Sequence, residues 1–102
     1  MDSDKRPTSA PSKPKMLSDV VREQIRLRKL SYQTEKHYIA WIRRFVRFHN
    51  RRHPKEMNEV EIEQFLSFLA IEKNIAPATQ NQALNALVFL FREVLRKDLG
   101  SL

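Results

Sequence analysis

The side chains with the clearest chemical potential are the arginines and lysines of residues 31–55. This segment holds seven lysines and arginines and a single acid, Glu35. Drawn as a helix with about 100° per residue, it places most of these cations and one histidine on one face. The residues on that face are Lys36, His37, Arg43, Arg44, Arg47 and Arg51. A row of cations is suited to a phosphate backbone, where each contact releases counterions.

An ordinary solvated surface helix is the structural alternative for this arginine row. Surface helices usually place acids three or four residues from their cations, and Glu35 alone is available here. Unpaired arginines on one face repel each other, and a phosphate backbone would neutralise that repulsion. We therefore predict a DNA contact surface in which five side chains bind phosphates: Lys36, Arg43, Arg44, Arg47 and Arg51.

A second candidate site is the polar segment after Pro77. Residues 79–82 are Thr-Gln-Asn-Gln, and Asn85 follows one turn later. Because proline is favoured at the first helical position, this segment is predicted to begin a helix, whose N–H groups can bind phosphate. Glutamine and asparagine can also pair with adenine in the major groove. Simple capping and solvation is the alternative, and the predicted contacts are Thr79, Gln82 and Asn85.

Other reactive side chains do not form a convergent site. The histidines His37, His49 and His53 fall on the basic face, the apolar face and a loop, so we predict no metal site. Glutamates 59, 61 and 63 lack a paired base or nucleophile. The chain has no cysteine and one glycine, which excludes thiolate metal sites and glycine-rich phosphate loops. We therefore predict neither an enzyme activity nor a cofactor.

Four stretches with helical periodicity must position these residues, and no segment alternates convincingly as a strand does. The predicted helices cover about residues 17–28, 31–51, 58–73 and 78–96. Ser31 is a candidate N-cap, and Asn58 is spaced from Glu61 as in a capping box. The predicted fold class is therefore all-α.

The apolar residues of these helices predict one core. Trp41, Phe45 and Phe48 share a face with other apolar side chains of the second helix, which favours a core role over base stacking. Phe89 falls outside the apolar stripe of the fourth helix. It is predicted to be an exposed aromatic or a contact for an absent partner.

Length and composition limit the function classes. The chain has 102 residues, a formal net charge of +7 and 41% hydrophobic residues, which fits one small domain. Residues 1–16 are rich in proline, serine and lysine and are predicted to form a disordered tail. The sequence has no apolar run typical of a membrane span or a signal peptide. We expect a cytoplasmic protein without a membrane partner.

Three segments carry motifs that occur together in one family. They are LSYQTEKHYIAWIRRFVRFHNRRHPKEM, EVEIEQFLSFLA and IAPATQNQALNALVFLFREVL. The first contains a Ser-x-x-Thr-x-x-x-Tyr helix start and the run Trp-Ile-Arg-Arg-Phe, and the last opens its helix with Ala-Thr-Gln-Asn-Gln-Ala-Leu. Residues 17–99 thereby resemble the N-terminal core-binding domain of the tyrosine recombinases of the phage integrase family, most closely the integron integrases.

The resemblance implies a compact four- to five-helix SAM-like bundle that grips the double-stranded DNA of a recombination core site through its second and fourth helices. The residues at the family's DNA-facing positions are Thr34, Lys36, His37, Arg43, Thr79 and Gln82. Strand cleavage would belong to a separate catalytic domain, with its linker beginning at residues 100–102. The chain alone would be a monomer that binds DNA without cleaving it, and the parent recombinase a tetramer on DNA. The base-edge contacts would be His37, Gln82 and Asn85.

A helical protein-interaction module is the alternative function. In that case Phe89 and the first helix would contact a neighbouring subunit. This function need not exclude DNA binding, because recombinases of the family assemble as tetramers on DNA. A nuclear magnetic resonance titration with a short duplex separates the two functions. Chemical-shift changes confined to the Phe89 side would favour the interaction module.

Overall fold

The computed structural model describes residues 16–100, which form helices joined by short loops. The α-helices are α1, Leu17–Leu27; α2, Tyr32–Phe48; α3, Glu59–Ile71; and α4, Pro77–Val88. A short 3₁₀-helix, Pro54–Glu56, precedes α3, and a π-helical segment, Phe89–Val94, follows α4. No strand occurs in the described residues, and the predicted all-α class is confirmed. The predicted tail lies outside the described residues except for Met16, and so do residues 101 and 102.

The helix starts follow from their capping residues. Ser31 Oγ accepts a hydrogen bond from the Thr34 backbone N–H at 3.1 Å, which makes Ser31 the predicted N-cap of α2. The capping box at Asn58 is present, and the Asn58 backbone N–H donates to the Glu61 carboxylate at 2.7 Å. Pro77 begins α4, where its missing N–H leaves no helical hydrogen bond unmade. The sequence therefore predicts these three starts correctly.

The end of α2 differs from the prediction. The helix was predicted to reach Arg51, but it ends at Phe48. Asn50 and Arg51 have positive φ angles of 57° and 63°, and the Arg51 N–H donates to the Val46 carbonyl at 2.8 Å. This pattern is typical of a Schellman turn, in which a left-handed residue closes the helix. Asparagine tolerates that conformation better than most residues do, so Asn50 is the stop signal.

One hydrophobic core joins the helices, and Phe45 of α2 lies within it. Phe45 is fully buried, and its ring centroid lies 5.6 Å from that of Phe65 and 6.0 Å from that of Phe91. Trp41 is also buried, and Phe48 is partly buried against the same cluster. The predicted core role of these three aromatics is confirmed. Since α4 packs against both α2 and α3, the core also holds α4 beside α2.

The predicted exposure of Phe89 is wrong. Phe89 is 8% exposed, and its ring centroid lies 5.3 Å from that of Tyr38 and 5.7 Å from the Arg28 guanidinium carbon. The prediction considered only the apolar stripe of the fourth helix, whereas Phe89 packs against Tyr38 of α2 and the end of α1, at the point where α4 passes into a π-helix. One of its bonds runs from the Leu95 N–H to the Leu90 carbonyl, five residues back. An interaction module based on an exposed Phe89 therefore loses its basis.

Glu35 joins the start of α2 to α1. Its side chain is 8% exposed, and it accepts hydrogen bonds from Arg22 Nε and Arg26 Nε at 3.2 Å each. A buried carboxylate needs such partners because removing a charge from water is costly. The single acid of the basic segment is therefore paired with arginines of α1.

Replacing Glu35 by alanine should lower the free energy of unfolding by about 1–2 kcal/mol. Loss of one partner from a fully buried ion pair costs about 3–5 kcal/mol, but Arg26 is 67% exposed and can be rehydrated. Urea unfolding followed by circular dichroism measures the change. Asp19→Ala is the matched control, because Asp19 pairs with the same Arg22 but is half exposed and should cost less than about 0.5 kcal/mol. Equal losses in the two variants would contradict the anchoring role.

The pKa of Glu61 lies below the ordinary value for glutamate. The main cause is the Asn58 backbone N–H, which donates to the carboxylate. Burial acts in the opposite direction, while the charges of Arg52, 3.6 Å away, and of His49 lower the pKa further. The deprotonated form is therefore stabilised by folding. Its contribution is present above the unfolded-state pKa of about 4.3 and is lost as the pH falls through the lower pKa of the folded state.

The variant Glu61→Gln should have a weaker pH dependence of stability in this acidic range. Glutamine keeps an acceptor for the capping box but does not titrate, so the stability difference between the two proteins should shrink as the pH falls. Urea unfolding at intervals from about pH 7 to about pH 3 measures it. Parallel pH profiles of the two proteins would show that Glu61 is not a source of acid sensitivity.

Candidate nucleic-acid interface

The cationic side of α2 follows from its buried side. The buried residues of this helix are Glu35, Ile39, Trp41, Ile42 and Phe45. Because these side chains pack inward and Tyr38, Val46 and Phe48 are partly buried beside them, only the opposite arc of the helix faces solvent. The cationic residues and the histidine on that exposed arc are Lys36, His37, Arg43, Arg44 and Arg47. The helix therefore presents a continuous basic surface along its length.

The polar start of α4 lies beside the start of α2. Thr34, His37 and Tyr38 of α2 and Gln82 and Asn85 of α4 line one depression of about 110 Å³. The side chains of His37, Gln82 and Asn85 are exposed, and none has a hydrogen-bond partner within residues 16–100. The depression thus brings together hydrogen-bonding side chains from α2 and α4, which are far apart in the sequence. Tyr38 was not among the predicted contacts.

The predicted residues lie on two flanks of the exposed arc. The α4 flank consists of the depression together with Arg44, which lies two turns after His37 and so on the same side of the helix. Thr79 is half-buried one turn before Gln82 and does not line the depression. The position of Thr79 therefore makes it the least accessible member of the predicted set on α4.

The α1 flank lies on the other side of the arc. Three arginines form it, namely Arg43, Arg47 and Arg51. They border a groove of about 490 Å³ between α1 and α2, whose lining includes Leu17 and Val21. The prediction that placed Arg51 on the helix is wrong, because α2 ends at Phe48. The Arg51 side chain nevertheless borders the same groove as Arg43 and Arg47. At about 100° per residue, Arg43 lies about 120° around the helix from His37.

Ion pairing divides the arginines of the domain into two classes. The paired ones are Arg22 and Arg26 with Glu35, Arg28 with Glu93, and Arg52 with Glu61. Within residues 16–100, the unpaired arginines are Arg43, Arg44, Arg47 and Arg51, in α2 or just after it, and Arg92 and Arg96 near the end of the described residues. Lys36 of α2 also has no ion pair there. Uncompensated charges along one helix sum to a local positive potential that attracts anions. Positive potential is therefore concentrated on the exposed arc of α2.

Two cations of α2 rest on aromatic rings. The guanidinium carbon of Arg44 lies 4.6 Å from the centroid of Trp41, and Lys36 Nζ lies 5.2 Å from the centroid of Tyr32. Both distances are within the range of a cation–π interaction, about 6 Å. Trp41 was predicted to lie in the core, and its contact with Arg44 was not predicted. Their spacing of three residues, at which helical side chains meet, is the signal that would have found the contact.

The described residues contain neither a metal centre nor a membrane span. His49 is buried with Nε2 2.9 Å from the Glu61 carbonyl, and His53 Nδ1 accepts from the Lys55 N–H at 3.1 Å. In residues 16–100, no three side chains of the metal-binding types could hold an ion together. None of the described helices combines the length and apolar character that crossing a bilayer requires.

Comparison with known protein families covers nearly all the described residues. Residues 17–101 match the family model for the phage integrase N-terminal SAM-like domain. The chain belongs to this family. The four α-helices are all inside the match, so the predicted SAM-like helical fold is confirmed.

Two relatives of this SAM-like domain show the kind of protein in which it occurs. One is an integrase/recombinase from Escherichia coli and the other an integrase/recombinase from Pseudomonas aeruginosa, each 46% identical over 81 residues. The aligned residues are 79% of this chain and 24% of each relative. The chain therefore spans about a quarter of the length of these relatives. A domain similar to this one therefore forms part of longer proteins that carry the name integrase/recombinase.

Proposed function

We propose that this SAM-like domain binds the double-stranded DNA of a recombination core site through α2 and the start of α4. The observation that carries the proposal is the depression in which His37 of α2 meets Gln82 and Asn85 of α4. It brings side chains that can pair with base edges next to a row of uncompensated cations. Phosphate contacts would position the domain, and the amides would contribute sequence recognition.

The two flanks of α2 suit a helix that lies in the major groove. This groove is about 12 Å wide, admits one α-helix and has a phosphate backbone along each edge. The α1 flank would contact one backbone, and Arg44 on the α4 flank would contact the other. Gln82 and Asn85 would then lie at the edge of the groove, on the side of the backbone that Arg44 contacts. The family membership supports this orientation because it is the one that the resemblance implies.

Removing one arginine of the α1 flank should reduce the salt dependence of DNA binding. For Arg43→Ala and for Arg47→Ala, we expect the slope of log K against log salt to fall by about 0.9, since each phosphate contact releases that number of counterions. At about 0.1 M salt this corresponds to an affinity loss of roughly eightfold. Fluorescence anisotropy with a labelled duplex of three helical turns, about 30 base pairs, measures both quantities.

Lys55→Ala is the matched control for this titration. Lys55 belongs to the same basic segment and is exposed, but it lies on the 3₁₀-helix, where its carbonyl accepts a hydrogen bond from Lys97 Nζ. Its removal changes the net charge by the same amount and should leave the slope nearly unchanged. Unchanged slopes in both arginine variants would refute the DNA-binding surface.

We also propose that the parent protein is a tyrosine recombinase of the integron or phage type, with residues 17–99 as its DNA-binding unit. The motifs around Trp41 favour the integron integrases, and the relatives carry the name integrase/recombinase. Cleavage would reside in a separate catalytic domain, and the parent would assemble on DNA as a tetramer in the bacterial cytoplasm. The remaining sequence of the parent gene tests this proposal, because it must encode that catalytic domain.

A further inference from the structure

Arg44 differs from the other cations of α2 in what holds its side chain. Its guanidinium carbon lies 4.6 Å from the centroid of the Trp41 ring. That ring is 8% exposed and packs edge-on against Phe65 at a centroid distance of 6.4 Å. Because the core fixes the ring, the contact with the ring restrains the guanidinium group.

The neighbouring cations lack such a support. Arg43 and Arg47 have no ion pair, hydrogen bond or ring contact within residues 16–100. Lys36 rests on Tyr32, but that ring is 67% exposed and is not fixed by core packing. Among the α2 cations described here, Arg44 is therefore the one whose ring partner is buried.

A ring contact on one face of the guanidinium group leaves its N–H donors free to bind a ligand. The N–H donors of arginine lie in the guanidinium plane, so a ring against one face does not block them. A mobile arginine loses side-chain freedom when it binds a phosphate, whereas a held arginine has already lost it. Arg44 is thus pre-organised to donate hydrogen bonds from the α4 flank.

We propose that Trp41 is a positioning residue for DNA binding, which holds Arg44 in the orientation that contacts a backbone phosphate. The inference rests on the proposed function and assigns different roles to the arginines of the DNA-binding surface. Arg44 fixes the position of the domain on the duplex, while Arg43 and Arg47 supply attraction without a fixed geometry. Removal of the ring should therefore weaken binding without any loss of charge.

Arg44→Lys is the first test because it keeps the charge at an exposed position. Lysine has no planar group to lie flat on the ring and cannot form a bidentate contact. We expect about a twofold to tenfold loss of affinity for the same duplex of about 30 base pairs, with the salt slope unchanged. If Arg44 supplies charge alone, this variant will bind like the unmodified protein, and the proposal is overturned.

A double-mutant cycle between Trp41→Leu and Arg44→Ala tests the coupling itself. Trp41→Leu should weaken binding about twofold to tenfold in the unmodified background and have almost no effect when Arg44 is already alanine. The matched cycle pairs Trp41→Leu with Arg43→Ala, where the two losses should multiply. A merely structural role for Trp41 would make both cycles multiplicative, and that result would overturn the proposal.

The positioning role of Trp41 and the DNA-binding surface predict different results. If Arg43→Ala and Arg47→Ala weaken binding but Arg44→Ala does not, the positioning role is overturned and the DNA-binding surface stands. If none of the three variants weakens binding, both are overturned. Circular dichroism checks that Trp41→Leu is folded, and if it is not, the affinity and salt slope of Arg44→Lys decide the question.

Discussion

Replacing Arg43 and Arg47 together by glutamate should lower the affinity for a DNA duplex by at least about sixtyfold at about 0.1 M salt. Each arginine that binds a phosphate contributes about 0.9 to the salt slope, and two lost contacts remove nearly two powers of ten at that concentration. The glutamates also place negative charge next to the backbone. Since both side chains are exposed, the substitution should leave the helical circular dichroism spectrum unchanged.

The control for this charge reversal is Lys55→Glu with Arg92→Glu. Both residues are exposed and lie on the 3₁₀-helix and the π-helical segment, outside the two flanks of α2. The control changes the net charge by the same amount, so long-range attraction falls equally in the two proteins. An anisotropy titration should give a much smaller loss for the control. Equal losses would mean that overall charge, and not the α1 flank, determines binding.

Replacing Phe45 by alanine should lower the free energy of unfolding by about 3–5 kcal/mol. The ring is fully buried and makes edge contacts with Phe65 and Phe91, so truncation leaves a cavity that three helices would have to close. A domain of this size has a total stability of only about 5–10 kcal/mol. Thermal and urea unfolding should therefore show a protein close to the limit of folding at 37 °C.

Tyr32→Ala is the control for the core variant. Tyr32 is an aromatic residue of the same helix but is 67% exposed, and its loss should change the stability by about 0.5 kcal/mol or less. A loss below about 1 kcal/mol for Phe45→Ala would contradict the packing described for α2, α3 and the π-helical segment.

Local signals in the sequence predicted most of the fold. Ser31, Asn58 and Pro77 mark helix starts because each satisfies or removes backbone donors that a helix leaves unpaired. Trp41 and Phe45 could be assigned to the core because their spacing puts them on one apolar face. These features depend on residues within a few positions of each other, and sequence periodicity reports such short-range relations directly.

Phe89 and Arg51 show where local reasoning fails. The burial of Phe89 depends on Tyr38 and Arg28, which lie far away in the sequence. Arg51 left the predicted face because Asn50 ended the helix early. A regular helical wheel of one segment contains neither the contacts from other helices nor a change in backbone conformation.

The candidate site was only partly visible in the sequence. The basic face of α2 followed from the spacing of its arginines, but its division into two flanks required the positions of α1 and α4. Likewise, His37 and Asn85 line the same depression only because α2 packs against α4, and α3 separates these two helices in the sequence. The support of Arg44 by Trp41 depends on the core that fixes the ring, and tertiary packing alone supplies it.

The π-helical segment makes the domain unequally tolerant of changes in chain length. A π-helix holds an extra residue because each N–H reaches one carbonyl further back than in an α-helix. Deleting one residue within Phe89–Val94 could therefore close an ordinary α-helix while α4 stays in place. An insertion between Asn85 and Val88 would instead rotate the start of α4 by about 100° relative to the core. That rotation would carry Gln82 and Asn85 away from His37, so a one-residue deletion in the π-helical segment should be tolerated better than a one-residue insertion in α4.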